Sequence, residues 1–171
     1  MDDAVSSGWL AGECDEFGVP LRLFGPHPEP VWGAIGRTVS VSALLEDRLI
    51  TLLQRLGPEP PAVYAKPRPT GLVKALRDVM PGDDEAWDGF ATWLDDVAAA
   101  FEWRNDVVHN LWPAQPGERF FGHRIDPKTG ERRVTETTTD ELPRRLRELV
   151  GLLEQWDKWF ALANQPLRTR T

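Results

Sequence analysis

The chain has 171 residues, a formal charge of −7, and 41% apolar against 27% charged side chains. These values suit one globular domain that buries a core without disulfides or a structural metal. They weigh against a general nucleic-acid coat protein, whose surface would be basic. A single cysteine, Cys14, allows no internal disulfide and no paired-thiolate zinc site, so neither metal nor cofactor is expected, and the setting is read as reducing and cytoplasmic. The acidic start Met-Asp-Asp-Ala-Val lacks the layout of a signal peptide, and no apolar run approaches the roughly 18 residues of a membrane span.

Residues 1–30 are rich in Gly, Pro and acid and read as an irregular lead-in, with one extended piece around Val19–Phe24. From Val31 to Leu56 apolar residues recur at helical spacing (Ile35, Val39, Leu45, Leu49, Leu52, Leu53 and Leu56), ended by Gly57-Pro58. Five prolines make residues 57–70 a loop, and Thr70 is placed to cap a short helix running to Met80. Asp83 or Asp84 is then expected to cap the longest helix, with Asp84, Glu85 and Asp88 at its positive end. Its buried stripe reads Trp87, Phe90, Leu94, Val97, Phe101, Val108 and Leu111.

The period changes next. Glu118–Ile125 and Glu131–Thr137 flank Asp126-Pro127-Lys128-Thr129-Gly130, a turn sequence suited to a hairpin. A last helix begins near Thr138–Asp140, where Thr138 and Glu141 form a capping box and Pro143 falls in the first turn. Leu142, Leu146, Leu149, Leu153, Trp156 and Phe160 mark its stripe. The expected fold is mainly α: an antiparallel four-helix-type bundle over residues 31–165 with a short β-hairpin before the last helix, and a tail at 166–171. The eight tryptophans are read as core where they sit on helices.

One segment concentrates reactive side chains on a regular element: Arg104-Asn105-Asp106-Val107-Val108-His109. Asn105 and His109 lie one helical turn apart, and Asp106, three before His109, is within reach of the imidazole's second nitrogen. Arg104 sits around the cylinder from His109 by roughly 140°. An imidazole can take and give a proton near neutral pH, and a guanidinium fork matches phosphate oxygens. No nucleophilic Ser or Cys stands beside this histidine, and no cluster of His and carboxylates could hold a metal. The remaining chemistry is metal-free proton transfer around a phosphate: attack of a ribose 2′-hydroxyl on the adjacent phosphorus. One histidine cannot serve both proton transfers, so a two-fold homodimer is expected to bring two histidines and two arginines into one cleft.

In these six residues, late in a long helix and ahead of a closing helix, the chain resembles the HEPN superfamily (higher eukaryotes and prokaryotes nucleotide-binding). Its motif is Arg, four to six residues, then His, often beginning Arg-Asn. The resemblance implies a metal-independent endoribonuclease working as a dimer on RNA, with Arg104 and His109 catalytic and Asn105 and Asp106 supporting them. It also implies a toxin or phage-defence role and a cognate antitoxin or regulator. One toxin branch has a tyrosine two residues after the histidine; here that position is Leu111, and the only tyrosine is Tyr64.

Other readings stand beside it. The segment could be structural, with His109 bonded to Asp106 and Arg104 paired to Glu102 or Asp96. The chain could be a HEPN-like module that binds nucleotide, RNA or protein without cutting. It could also be an acidic antitoxin or immunity-type protein presenting Asp83, Asp84, Glu85 and Asp88. Residues 83–117 hold eight acidic side chains against Arg104 alone, whereas residues 118–147 hold eight basic against six acidic. Arg119, His123, Arg124, Arg132 and Arg133 on the hairpin could therefore guide an RNA backbone, or form a solvated surface. His27, among prolines, reads as a loop residue, and Asn110 either assists the cleft or weakens the helix end.

Overall fold

A computed structural model describes residues 14, 16–20, 29–57, 69–80, 85–110, 112, 119–126 and 129–165. It is mainly helical: α1 (Glu29–Leu56), α2 (Pro69–Val79), a 3₁₀ turn (Glu85–Trp87), α3 (Phe90–His109), the strands β1 (Arg119–Ile125) and β2 (Arg132–Thr138), and α4 (Glu141–Ala163). The inner part of the proline loop with Tyr64, the acidic pair Asp83 and Asp84, His27, Leu111, Glu118, the turn residues Pro127 and Lys128, and the tail at 166–171 lie outside the described residues. So does most of the Val19–Phe24 piece, of which Pro20 forms a single antiparallel bridge with Cys14. Among the described residues no helix is long and apolar enough to cross a membrane.

By its contacts the chain divides into two compact units, Arg37–Arg104 with Arg145–Thr171, and Met1–Gly36 with Asn105–Arg144. The first is a four-helix bundle. Leu45, Leu49, Leu52 and Leu53 of α1 share one core with Leu72, Val73 and Leu76 of α2, Phe90 to Phe101 of α3, and Leu149, Leu152, Trp156 and Trp159 of α4. Each set recurs at three- and four-residue spacing, so each helix turns one continuous stripe inward. Aromatic rings fill the middle. Phe90 lies 5.1 Å from Trp87, 5.5 Å from Trp93 and 5.0 Å from Trp159, centroid to centroid. The buried indoles of Trp93 and Trp156 donate to the carbonyls of Leu152 (3.1 Å) and Arg48 (2.9 Å), so two of the polar groups that enter with these rings are satisfied. Arg77 of α2 pairs with Asp95 of α3 at the surface.

The chain ends its helices much as its sequence indicates. Pro30 and Pro69 sit in first turns, where a missing N–H costs nothing. Thr138 Oγ1 accepts the Glu141 N–H at 3.1 Å, half of the capping box; the Glu141 carboxylate accepts instead from Thr137 Oγ1 at 3.4 Å. Two starts differ from expectation. Thr70 does not cap α2, which already begins at Pro69, so Thr70 lies inside its first turn. The third helix begins at Phe90 rather than after Asp83 or Asp84, because Glu85–Trp87 winds as a 3₁₀ turn and Gly89 adopts φ 84°. That left-handed conformation interrupts the α-helix and suits only glycine without strain. α1, with 28 residues, is therefore longer than α3, with 20. Trp87 is buried all the same.

In the second unit β1 and β2 pair antiparallel, His123 opposite Val134 and Arg124 opposite Arg133. The turn closes through Gly130 N–H to Asp126 O and Asp126 N–H to Glu131 O, both 2.8 Å, with Gly130 at φ 72°. Alternation then sorts the strands. Gly122, Arg124, Arg133, Thr135 and Thr137 share one face, and Arg119, Phe121, His123, Ile125, Arg132, Val134 and Glu136 share the other. Among the described residues of this unit, Val31, Ala34, Val107, Asn110, Trp112, Gly122, Thr137 and Leu142 are buried.

Candidate functional site

Arg104 leaves α3 toward α1 within the four-helix unit. Its Nε donates to Ser42 Oγ at 3.3 Å, and its Nη2 lies 3.3 Å from Glu46 Oε1. Ser42, fully buried, donates its own hydroxyl proton to Thr38 O at 2.7 Å, which leaves the oxygen's lone pairs facing the guanidinium. Ser42 and Glu46 are one turn apart on α1, so a single helix face supplies the hydroxyl acceptor and the counter-charge. The arginine and glutamate side chains are 20% and 27% exposed, so each is only partly accessible to solvent. The partner is neither Glu102 nor Asp96, because both sit elsewhere around α3.

His109 is the last residue of α3. It is exposed and has no hydrogen-bond or ion-pair partner among the described residues. Asp106 does not orient it. Its Oδ1 instead receives Arg124 Nη2 at 3.0 Å, clipping β1 to the end of α3. Asn105, one turn before His109, is partly buried. Arg104 and His109 both belong to α3.

The five hairpin residues do not form one patch. Arg119, His123 and Arg132 fall on one face and Arg124 and Arg133 on the other. Arg119 is tied to Glu136 at 3.2 Å, Arg124 to Asp106, and Arg132 and Arg133 are exposed at the turn end. Glu85 and Asp88, the described part of the acidic quartet, are exposed around the 3₁₀ turn.

Two residues that received little weight in the sequence shape the region beside His109. Asn110 is 7% exposed, and neither its Nδ2 nor its Oδ1 has a partner among the described residues. Gly122 explains how β1 comes so close to it. A Cβ at position 122 would stand 2.8 Å from Asn110 Cβ and from the Trp112 ring, whose Nε1 donates to Val107 O at 2.8 Å. A lone glycine inside a strand pattern is the available signal for such close approach. Trp112 folding back on this turn also accounts for Val107, and not Val108, being the buried valine. Gly122→Ala is expected to cost about 1–3 kcal/mol, the usual penalty for overpacking. Gly71→Ala, whose Cβ would meet nothing within 4 Å, should be neutral or stabilising. Urea unfolding of both variants checks the contrast.

Among the described residues no group of His, Cys, Asp and Glu could hold a metal ion. No family model, curated protein or solved structure matches the chain.

Proposed function

We propose that the chain is a metal-independent endoribonuclease of the HEPN type, acting in the cytoplasm as a homodimer. Its role is that of a toxin or phage-defence effector under a cognate antitoxin or regulator. The observation that carries the reading is the segment Arg104-Asn105-Asp106-Val107-Val108-His109 closing α3, with His109 exposed and unencumbered by a polar partner among the described residues. An imidazole in that state is available to exchange protons with a substrate. His109 of one subunit removes the proton of the ribose 2′-hydroxyl. The oxygen attacks phosphorus, and His109 of the partner subunit protonates the departing 5′-oxygen, leaving a 2′,3′-cyclic phosphate. Arg104, fixed by Ser42 and Glu46, stabilises the added charge on the phosphorane-like transition state. Asn105 orients the ribose.

The test is incubation of purified protein with RNA in excess chelator, with the ends of the products identified and the mass in solution measured. Cyclic phosphate ends made by a dimer are the expected result. A strictly metal-dependent cleavage, or an active monomer, refutes the mechanism.

A second reading is favoured by the pairing of Arg104 with Glu46 and of Asp106 with Arg124. It is a non-catalytic module of the same type that binds RNA or nucleotide. RNA bound without product, with affinity lost in Arg104→Ala, selects it.

A further inference from the structure

Between α3 and α4, wholly within the four-helix unit, lies a cavity of about 330 Å³. Asp96, Ala99, Ala100 and Trp103 line it from α3, and Arg145, Glu148, Gly151, Leu152 and Gln155 from α4. Pockets that hold small ligands run from about 300 to 1,000 Å³, so this groove, open on one side, has room for a molecule of nucleoside size. Three small residues create it. Ala99, Ala100 and Gly151 stand where larger side chains would close the groove.

Gly151 is the informative one. In a helix interior glycine costs about 0.8–1 kcal/mol relative to alanine, and a Cβ at position 151 would meet nothing within 4 Å. No close packing requires the glycine, and its absent side chain opens the cavity. Trp103 differs from the buried tryptophans of this bundle. It is only partly buried, and a helical side chain leans over the preceding turn, here Ala99 and Ala100. An indole beside a slot floored by alanine and glycine is a stacking surface for a flat ring.

The polar rim specifies which ring. Trp93 reaches Leu152, and α4 runs antiparallel to α3, so Arg145 and Glu148 fall at the Trp103 end and Gln155 at the Asp96 end. Arg145 Nη1 and Glu148 Oε2 are 3.2 Å apart and together present N–H donors beside a carboxylate acceptor. Guanine is the base whose edge carries acceptors (O6, N7) next to two donors (N1–H, N2–H₂). At the other end Asp96, exposed and without a polar partner among the described residues, is an acceptor for ribose hydroxyls. We infer that this cavity is a guanosine-binding site, with the base stacked on Trp103 against Arg145 and Glu148 and the ribose at Asp96. The source is either a free guanine nucleoside or a guanosine within RNA. The inference goes beyond the nuclease reading and does not depend on it.

Calorimetric titration of the full chain tests it. Guanosine is expected to bind with a dissociation constant below about 1 mM, and adenosine, cytidine and uridine at least about tenfold more weakly. Gly151→Leu should abolish binding by filling the cavity while preserving or raising the melting temperature, since leucine favours helix over glycine. Trp103→Ala and Glu148→Gln should each weaken binding by about tenfold or more. A trinucleotide ApGpA that binds more tightly than guanosine assigns the site to RNA; one that binds more weakly assigns it to the free nucleoside. Absence of guanosine binding, equal affinity for all four nucleosides, or binding that survives Gly151→Leu would overturn the inference. Because the readout is binding, its failure leaves the cleavage experiment untouched.

Discussion

His109→Ala is expected to lower metal-free RNA cleavage by about 10²–10⁴-fold, the usual contribution of a positioned general acid or base. Stability should hardly change. His109 is exposed at the end of α3 without a polar partner among the described residues, and such surface substitutions stay within about 0.5 kcal/mol. Arg104→Ala should lower cleavage by about 10²–10³-fold, as loss of one charge-stabilising donor does. It should also destabilise by about 1–3 kcal/mol, because the Glu46 carboxylate is left partly buried without its cation. The two effects of Arg104 need separating, and Glu46→Gln does so. It removes the same ion pair but keeps the guanidinium. If Arg104 acts on the substrate, Glu46→Gln loses stability but far less of the rate constant than Arg104→Ala does, because Ser42 still holds the guanidinium. If activity falls in step with stability in both variants, Arg104 is a structural cation and the catalytic assignment fails.

The largest effect on stability is expected at Trp93. It is 2% exposed, stacks near Phe90 and Trp159, and donates its indole N–H to Leu152 O. Trp93→Ala removes the ring, the hydrogen bond and the wall between α3 and α4, which should cost about 3–5 kcal/mol. Trp93→Phe retains most of the volume but loses the indole's hydrogen bond to the Leu152 carbonyl, which keeps its helical backbone donor. Trp159 offers the comparison. Its Nε1 is buried with no hydrogen-bond partner among the described residues, so Trp159→Phe relieves an unmet donor while shrinking the ring. Equilibrium urea unfolding should rank the losses Trp93→Ala, then Trp93→Phe, then Trp159→Phe. Equal losses for the two phenylalanine variants would mean that the Trp93–Leu152 bond contributes nothing.

The architecture was legible where local chemistry and long-range packing agree. Helix stripes such as Leu45–Leu49–Leu52 and Leu142–Leu149–Trp156 announce themselves by period, and Asp126-Pro127-Lys128-Thr129-Gly130 announces its turn by composition. The start of α3 was not, because Asp84, Glu85 and Asp88 resemble the acidic first turn of a helix, whereas Gly89 adopts the backbone conformation that postpones it. At the candidate site the sequence identified the reactive side chains but not their partners. The contacts of Arg104 with Ser42 and Glu46, and of Asp106 with Arg124, join elements far apart in the chain. Periodicity within one helix carries no information about them. The groove beside Trp103 was half hidden for the same reason: Ala99 and Ala100 precede it on the same helix, but Gly151 lines the groove from α4, far along the chain.

The hairpin is a ribbon of only two strands, and Ile125 and Val134 on its outer face are 60% and 61% exposed. An open apolar ribbon is a template on which further strands add, from this chain or from others. Arg119, Arg132 and Arg133 are exposed along the ribbon, and charge of this kind is a common means by which exposed strands avoid pairing with others. Drift toward neutral residues at those positions would expose the protein to self-association through its edges without disturbing a single helix.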